Sequence, residues 1–433
     1  MCGILVRVST HPTTDSDEAF ASGLHCRGPD GVQSATRCLP ASVYVSLTAS
    51  LLQLRGLGGG PVQPLRVSSS YGSLLAFNGE IFGGLPALDS SPHANDGSVL
   101  LEALCGCDDE GDVVALLGAL RGPWALAFYC ATTGTLWFGR DAFGRRSLLL
   151  AADNDKSSLL LSSLAPPKRS DVGWSTTWAE LPPGVYSLRC CGGGGAAVRH
   201  HGFGGGWLAS SLFPFSRRGV SAHALPSPPL SPAERVLAAL SLAVARRVCG
   251  TAAAPLLVLF SGGLDSTLLA LLAHAHAPPA ATICLSSVCF SSGRSSDRAA
   301  ALDAASELAS LAPHRHWVLL PIDVTPEEDA ASRPGVRGLI YPCSTAMDEN
   351  IGTALLFAAR AKAAPSTDGC GDDVAAAASA RVALLGTGAD ELCGGYGRHR
   401  SAWGRGGAAA ARAEMDAVRE SFSFLYFSLF SLF

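Results

Sequence analysis

The stretch LLVLFSGGLDS, residues 256–266, contains an apolar run followed by a glycine-rich turn. The apolar run predicts a buried β-strand, and the residues from Thr267 to Ala275 predict a helix. The turn would then join the carboxyl end of a strand to the amino end of a helix, where backbone N–H groups and the helix dipole favour a phosphate group. The alternative is an ordinary strand-to-helix turn, but the full hexapeptide 261–266 is much more specific than Gly-Gly alone.

The residue types in this turn suit a nucleotide phosphate. Gly262 and Gly263 let the backbone approach the phosphate closely, and the hydroxyls of Ser261 and Ser266 add hydrogen-bond donors. Asp265 is a candidate ligand for Mg²⁺, which bridges phosphate oxygens when it is bound. A helix cap is the alternative role for Asp265, and it predicts an effect on stability without one on ligand affinity.

On both sides of this turn, strand and helix patterns alternate. Helices are predicted over 232–248 and 296–311, and strands over 282–290, 316–322 and 382–385. We expect Ser296 or Asp297 to cap the second of these helices. The alternation predicts a parallel, doubly wound α/β sheet.

A second glycine-rich turn follows the last predicted strand. It contains Gly386, Gly388 and Asp390. Because ligands of such sheets bind at the carboxyl ends of the strands, this turn would face the same nucleotide crevice as residues 261–266.

The first 200 residues have a different pattern, in which short apolar runs are separated by Gly and Pro. Strands are predicted over 4–8, 43–47, 74–77, 124–129 and 136–138, and a helix over 96–104. Residues 203–232 are rich in Pro, Ser and Gly and are the predicted linker. The domains are therefore predicted over 2–202 and 233–420.

Cys2 directly follows Met1. Removal of Met1 would leave a thiol and a free α-amino group on one residue, and an α-amine with a pKa near about 8 can accept the thiol proton. Cys2 is thus a candidate nucleophile that carries its own base. The alternative is that one of the 14 cysteines happens to stand at position 2.

The composition limits the partners and the compartment. The 433 residues are 48% hydrophobic and 16% charged, with a net charge of -4, which gives no electrostatic reason to expect a nucleic acid or an anionic membrane. The cysteines lack the spacing of a disulfide framework or a zinc site, and the start lacks a signal-peptide pattern. We expect reducing cytosol and no structural metal. His314 and His316 could share a strand face, but no third ligand is near.

Taken together, the motifs resemble those of glutamine-dependent asparagine synthetases. The motifs are MCGI (1–4), RGPD (27–30), NGE (78–80), SGGLDS (261–266) and the segment 386–396. Further segments are similar to those of the eukaryotic asparagine synthetase domain-containing proteins, namely 54–56, 122–124, 136–149 and 396–400. The resemblance covers residues 1 to about 403. It implies an N-terminal-nucleophile αββα sandwich of the class II glutamine amidotransferase type, followed by a doubly wound ATP-pyrophosphatase (PP-loop) domain.

The resemblance also implies catalytic roles in the first domain. Cys2 would attack the amide of glutamine, and the Asn78 side-chain amide with the Gly79 N–H would form an oxyanion hole. For an isolated Asn-Gly pair a tight turn is the alternative. The apolar strand before the pair and Glu80 after it favour the catalytic role.

Roles in substrate binding follow in the same way. Arg55 and Asp96 would hold the α-carboxylate and the α-ammonium of glutamine, with Glu80 assisting. Arg140 and Asp141 are interpreted as a structural pair.

In the second domain, the resemblance implies ATP- and Mg²⁺-dependent adenylylation of the aspartate β-carboxylate. Ammonia from the first site would travel along an interior path and displace AMP. Thr387 stands where asparagine synthetases carry a glutamate. The chain also stops about where the family continues into helices that supply a lysine, and the apolar segment 421–433 is expected not to be part of the fold.

Three hypotheses therefore stay open. The first is a glutamine-hydrolysing amidotransferase that makes asparagine from glutamine, aspartate and ATP. The second is a non-enzymatic nucleotide-binding or interaction protein. The third is an ATP-pyrophosphatase ligase that acts on another carboxylate. A homodimer is compatible with each of them.

Overall fold

The computed structural model describes residues 2–10, 18–54, 60–66, 72–90, 94–152, 158–166, 178–190, 198–201, 231–249, 254–290, 295–360, 376–377 and 379–422. These residues form two compact units. The first contains the described residues up to 201 together with 338–344, and the second contains those from 231 to 337 and from 345 to 422. The predicted linker lies outside the described residues except for its last two.

The described part of the first unit contains eleven strands in two antiparallel sheets. The strands are β1 (Gly3–Ser9), β2 (Gly31–Leu39), β3 (Val43–Leu51), β4 (Leu74–Gly79), β5 (Trp124–Cys130), β6 (Thr135–Arg140), β7 (Leu149–Ala152), β8 (Leu159–Ser162), β9 (Ala179–Glu180), β10 (Gly184–Arg189) and β11 (Arg199–His200). One sheet has the order β2-β3-β1-β8-β7-β9, and the other has the order β11-β10-β6-β5-β4.

The inner faces of the two sheets pack together and form one apolar core. Side chains alternate along β1, so that Ile4 contributes to this core with Leu74 and Phe138, whereas Leu5 points to the opposite face. There Leu5 belongs to a cluster with Leu24 of helix α1 (Glu18–Arg27). All seven residues of β1 are buried because both of its faces are covered.

Three helices cover the outer face of the five-stranded sheet. They are α2 (Pro86–Ser90), α3 (Asp96–Cys105) and α4 (Glu110–Ala119). Their apolar side chains share a cluster with Phe77, Phe128 and Trp137 of the sheet. The layers are therefore helix, sheet, sheet and helix, which confirms the predicted αββα sandwich.

Beyond residue 230, the chain alternates between helices and parallel strands. The elements are α5 (Pro232–Val248), β12 (Leu256–Leu259), α6 (Leu264–His276), β13 (Ile283–Cys289), α7 (Ser296–Leu311), β14 (Trp317–Asp323), α8 (Pro326–Ile340), α9 (Ala346–Arg360), β15 (Val382–Leu384), α10 (Ala389–Cys393) and α11 (Gly397–Phe422). Ser231 and Glu234 form a capping box at the start of α5, in agreement with the predicted helix start.

The four strands of the second unit have the order β14-β13-β12-β15 and are parallel. Helices α5, α6 and α7 pack on one face of the sheet, through a cluster that includes Val248, Ala270 and Ala301. On the other face, Ser286 of β13 donates a hydrogen bond to the carbonyl oxygen of Ala358 in α9. Helices thus cover both faces, which confirms the doubly wound sheet.

Two local predictions in this unit are wrong. The cap of α7 is Ser295, whose Oγ accepts a hydrogen bond from the backbone N–H of Arg298, rather than Ser296 or Asp297. His314 and His316 precede β14 and so do not share a strand face. Nδ1 of His316 lies 3.1 Å from the hydroxyl of Thr282.

The Arg315 side chain closes the carboxyl end of α6. It is 7% exposed and donates hydrogen bonds to the carbonyl oxygens of His274, Ala277, Pro278, Pro279 and Ala281. Its Nε lies 3.1 Å from Nδ1 of His274. Carbonyl groups at a helix end have no partner within the helix, so this guanidinium satisfies groups that would otherwise be buried without one.

We expect Arg315→Met to destabilise the second unit by about 3 kcal/mol, because it leaves several buried carbonyl groups without a donor. Arg315→Lys should recover less than half of this loss, since an ammonium group cannot reproduce the planar fork of a guanidinium. Chemical denaturation followed by circular dichroism gives the free energy of unfolding. Arg246→Met, at an exposed position in the last turn of α5, is the control and should change it by less than about 0.5 kcal/mol. Equal stabilities of the two methionine variants would contradict this role.

Candidate functional site

Cys2 directly precedes β1 and is 9% exposed. Its sulfur accepts a hydrogen bond from the backbone N–H of Leu52 at 3.3 Å and lies 3.7 Å from the carbonyl oxygen of the same residue. Arg27 at the end of α1 donates from Nε to the carbonyl oxygen of Cys2 at 3.2 Å. Hydrogen bonds therefore hold both the backbone and the sulfur of Cys2, the backbone through Arg27 and the sulfur through Leu52.

The RGPD segment explains how the Leu52 loop is held. A Cβ atom on Gly28 would lie 2.4 Å from the backbone nitrogen of Leu51, so only glycine allows the two backbones to approach so closely. Asp30 donates its N–H to the carbonyl oxygen of Leu51, and its carboxylate accepts the N–H of Gln53 at 2.7 Å. The segment thus fixes the loop that contacts the Cys2 sulfur.

Burial raises the pKa of the Cys2 thiol. The Leu52 hydrogen bond, the positive charge of the amino terminus and that of Arg146 lower it, in this order, and Asp96 raises it. Arg27 and Arg146 are half-buried, and Arg146 acts electrostatically on the same sulfur; desolvation of the guanidinium lowers the pKa of Arg27 to about 10. A thiol in this setting is protonated near neutrality and needs a base before it can attack.

Asn78 and Gly79 are the last residues of β4, so the tight-turn alternative is excluded. The Asn78 side chain is 1% exposed, and its Nδ2 has no hydrogen-bond partner among the residues that the structure describes. A Cβ atom on Gly79 would lie 2.5 Å from the carbonyl oxygen of Pro123. The end of β4 therefore combines an unused buried amide with a position that accepts only glycine.

The Gly79 N–H points to the open side of β4. In an antiparallel pair, successive residues direct their N–H groups to alternate sides. Glu80 donates to the carbonyl oxygen of Pro123, beside β5, so Gly79 directs its N–H away from β5. Two other N–H groups on that side have partners, since Leu75 donates to the carbonyl oxygen of Leu65 and Phe77 to Oε1 of Gln63.

Asp96 is the first residue of α3, which Asn95 caps. Both oxygens of the Asp96 carboxylate accept backbone hydrogen bonds, from Ile81 at 2.9 Å and from Gly97 at 3.0 Å. The carboxylate is 9% exposed and therefore oriented, and it lies next to the Glu80–Ile81 segment. Arg146 and Asp96 act electrostatically on Cys2, and Glu80 acts on Arg146, so the charges of these four residues influence one another.

Arg55 lies outside the described residues, so its role stays a prediction. Arg140 and Asp141 are both structural, as predicted, but they do not pair with each other. Arg140 forms an ion pair with Glu180 at 2.7 Å, and Asp141 pairs with Arg145 at 2.9 Å.

Sequence reasoning did not single out Arg146. It lies within the segment 136–149, but two arginines after a glycine are usually solvated residues of a surface loop. The only feature of the sequence that could have pointed to Arg146 is the position of this charged side chain shortly before the apolar run at 148–151, which predicts a buried strand.

In the second unit, the turn after β12 has the form expected for residues 261–266. Gly262 has a φ of 77°, and a Cβ atom there would lie 2.3 Å from the backbone of Ala301, so the position accepts only glycine. Ser261 Oγ accepts the N–H of Gly263 at 3.3 Å, and Ser266 donates to the Gly263 carbonyl oxygen at 3.1 Å. The turn is thus held by its own hydroxyl groups.

Helix α6 begins directly after this turn without a side-chain cap. Its N-cap is Gly263, so Asp265 is the second residue of the helix and the helix-cap alternative for Asp265 is wrong. The N–H groups of the first turn of a helix have no partner within the helix. They are therefore donors that an anion could use.

The turn after β15 lies beside Asp265. A Cβ atom on Gly386 would lie 3.1 Å from Cβ of Asp265, and Gly388 has a φ of 94°. Burial raises the pKa of Asp265, and the neighbouring negative charge of Asp390 raises it further. The structure therefore brings the two predicted turns and their carboxylates together.

Two kinds of feature are absent from the described residues. Within the described ranges, no three His, Cys, Asp or Glu side chains are grouped so that they could hold a metal ion. No helix in the part of the chain that the structure describes is long and apolar enough to cross a membrane.

Comparison with known proteins identifies relatives of both units together. The family model for asparagine synthase matches residues 235–426. Asparagine synthetase domain-containing protein 1 of Gallus gallus is 26% identical, over 96% of this chain and 83% of that protein. The protein of the same name from Homo sapiens is 27% identical, over 92% of this chain and 79% of that protein.

Among solved structures, glutamine phosphoribosylpyrophosphate amidotransferase from B. subtilis matches with a TM-score of 0.36 and 14% identity, over 65% of each chain. The fold rests on the strand orders given above. The chain therefore matches the family model for asparagine synthase over residues 235–426 and is similar, over most of its length, to asparagine synthetase domain-containing protein 1 of chicken and human.

Proposed function

We propose that the first unit hydrolyses glutamine with Cys2 as the nucleophile, and that the second unit uses ATP and the released ammonia to convert aspartate into asparagine. The observation that carries the first half is the buried Nδ2 of Asn78, which has no partner among the described residues. A buried donor without a partner costs about 1–3 kcal/mol. A site that keeps such a donor at the end of a strand is suited to a partner that arrives with the substrate.

In the proposed reaction, the α-amino group of Cys2 takes the thiol proton, and the thiolate attacks the amide carbon of glutamine. The carbonyl electron pair moves onto oxygen, where Asn78 Nδ2 and the Gly79 N–H donate hydrogen bonds to the oxyanion. The α-ammonium then gives its proton to the amide nitrogen, the C–N bond breaks, and ammonia leaves. Water hydrolyses the remaining thioester and releases glutamate.

Asp96 is the candidate partner for the α-ammonium group of glutamine. Its carboxylate is already oriented by the N–H groups of Ile81 and Gly97, so little side-chain entropy would be lost when the substrate binds. Arg55 is the candidate partner for the α-carboxylate, and Glu80 would assist from the end of β4.

In the second unit, the N–H groups at the start of α6 and the hydroxyls of Ser261 and Ser266 would hold the phosphates of ATP. Asp265 and Asp390 would hold Mg²⁺. Carboxylate oxygens are ligands that a hard cation prefers, and burial together with the negative charge of Asp390 disfavours the charged form of Asp265 when no cation is present. When bound, the cation neutralises negative charge on the phosphate oxygens.

Amide-¹⁵N-labelled glutamine separates the three hypotheses. We expect labelled ammonia and glutamate from glutamine alone, and labelled asparagine with AMP when ATP, Mg²⁺ and aspartate are added. Nucleotide binding without any glutamate release would support the interaction protein instead. AMP formed only with a carboxylate other than aspartate would support a different ligase.

We expect Asp265→Asn to weaken Mg²⁺-dependent ATP binding about tenfold or more, because the substitution removes a charged oxygen ligand. Stability should not fall, since Asp265 does not cap α6 and its negative charge is repelled by Asp390. Isothermal titration calorimetry with and without Mg²⁺ measures the binding.

The matched control is Asp297→Asn, because Asp297 is also the second residue of its helix and is exposed. It should leave the affinity for ATP unchanged. If both variants bind ATP like the unsubstituted protein, with and without Mg²⁺, Asp265 has no role in holding the cation.

A further inference from the structure

The loop that joins β6 to β7 is fixed by Arg140. The guanidinium of Arg140 is 2% exposed and donates from Nε to the carbonyl oxygen of Arg146 at 2.7 Å. It also donates to the carbonyl oxygens of Leu181 and Gly144 and forms the ion pair with Glu180. One buried side chain thus holds the loop at two points, Gly144 and Arg146.

Asp141 fixes the same loop from the other end. Its Oδ2 accepts the N–H groups of Trp124 at 3.1 Å and Arg145 at 3.0 Å. Its Oδ1 accepts the N–H of Phe143 at 3.0 Å and Nε of Arg145 at 2.9 Å. The Asp141 carboxylate thus accepts four hydrogen bonds, and these hold the loop in a defined conformation.

The residue after Arg146 is tied to the strand that follows Cys2. Ser147 donates its hydroxyl to the carbonyl oxygen of Ser163 at 2.7 Å. Ser163 in turn accepts the N–H of Ile4 on its hydroxyl at 3.0 Å and donates its own N–H to the carbonyl oxygen of Ile4 at 2.8 Å. The backbone at Arg146 is therefore connected to the start of β1 through two short links.

We propose that Arg146 is a positioning residue for Cys2, whose guanidinium the loop 141–147 presents to the sulfur so that the thiolate is favoured when glutamine is attacked. This inference rests on the proposed function of Cys2. The ordinary pKa of a guanidinium lies so far above neutrality that it supplies a positive charge near pH 7, where an α-amine near its own pKa is only partly charged.

The other charges near Cys2 do not replace this one. Arg27 lies on α1 and uses its Nε on the Cys2 carbonyl oxygen, while Asp96 on α3 is negative and opposes a thiolate. Burial lowers the pKa of Arg146, and the negative charges of Glu80 and Cys2 counteract that effect. Glu80 thus favours the charged form of Arg146, and Arg146 favours the charged form of Cys2.

The test is the rate at which iodoacetamide alkylates Cys2 from pH 6 upward until the rate levels off, measured by mass spectrometry on the peptide that contains it. Since a nearby opposite charge shifts a pKa by about one unit or more, we expect Arg146→Gln to move the midpoint upward and to slow alkylation at pH 7 about tenfold. Arg146→Lys should restore most of the rate. Arg189→Gln, at a side chain that is 71% exposed, should have no effect.

The exposed Cys249 and Cys393 are alkylated in the same samples and serve as internal references. Thermal unfolding shows whether each variant is folded, and Arg146→Met replaces the glutamine variant if the latter is not. An unchanged Cys2 midpoint in a folded variant without the arginine charge would overturn the inference. A shifted midpoint that lysine does not restore would also count against it, because a merely structural role predicts that result.

Glutamine hydrolysis measured on the same proteins separates this inference from the proposed function. If the midpoint of Cys2 depends on Arg146 but no variant releases glutamate, the proposed function fails and the placement of the charge stands. If glutamate is released and the midpoint does not move, only the inference about Arg146 fails.

Discussion

Cys2→Ala is expected to lower kcat/KM for glutamine hydrolysis by at least about 10³-fold, because the substitution removes the atom that forms the thioester. ATP binding should be unchanged, since the nucleotide would be held by residues 261–266 and 386–390 in the other unit. Glutamate release is measured enzymatically, and ATP binding by calorimetry on the same preparation. The effect is expected to be large because neither Asn78 nor Gly79 can replace a nucleophile; in the proposed reaction they act only on the oxyanion that the nucleophile creates.

The control is Cys38→Ala, at an exposed position on β2, which should keep full activity. Persistent hydrolysis in Cys2→Ala would show that another group attacks glutamine. Mass spectrometry of the purified N-terminus tests the base. We expect the active protein to begin at Cys2, and full activity in protein that retains Met1 would refute the α-amine as the proton acceptor.

Most of the core strands could be predicted because both of their faces are buried and they therefore form continuous apolar runs. The residues 4–8, 74–77 and 124–129 are of this kind, and the structure places them in β1, β4 and β5. By contrast, β2 has the sequence GVQSATRCL and is mostly exposed at the edge of its sheet. Its stability comes from pairing with β3 along its full length rather than from an apolar pattern, so its sequence did not predict a strand.

The residues of the candidate sites also differ in how readily the sequence predicts them. Glycine positions were predictable, because Gly28, Gly79 and Gly262 stand where the structure allows no Cβ atom, and such positions leave a clear pattern in the sequence. Charges that act through space leave no such pattern. The charge of Arg146 acts on Cys2. Its loop is folded back onto other strands by Arg140, Asp141 and Ser147, through hydrogen bonds that include partners far apart in the chain.

The second large effect concerns the balance between the two units. We expect the protein to release glutamate from glutamine about 10² to 10³ times faster than it forms asparagine, because one positioned catalytic carboxylate contributes about that much to a rate. Thr387 is exposed in the turn between β15 and α10, next to Gly386, which lies against Asp265. A glutamate carboxylate at this position, as in asparagine synthetases, could carry a negative charge and accept a proton. The hydroxyl of Thr387 can do neither.

A gain of function tests this explanation more directly than a loss. Thr387→Glu should raise the ratio of asparagine to glutamate about tenfold or more, whereas Thr387→Gln, which has the same shape but no charge, should leave the ratio low. Both products and AMP are measured in one reaction with glutamine, aspartate, ATP and Mg²⁺. Stoichiometric asparagine and AMP from the unsubstituted protein would show that the carboxylate is dispensable or replaced by another group. Thr387→Glu and Thr387→Gln differ only in charge and in the capacity to accept a proton. If both raise the ratio of asparagine to glutamate equally, the size of residue 387 rather than its charge limits the synthetase reaction.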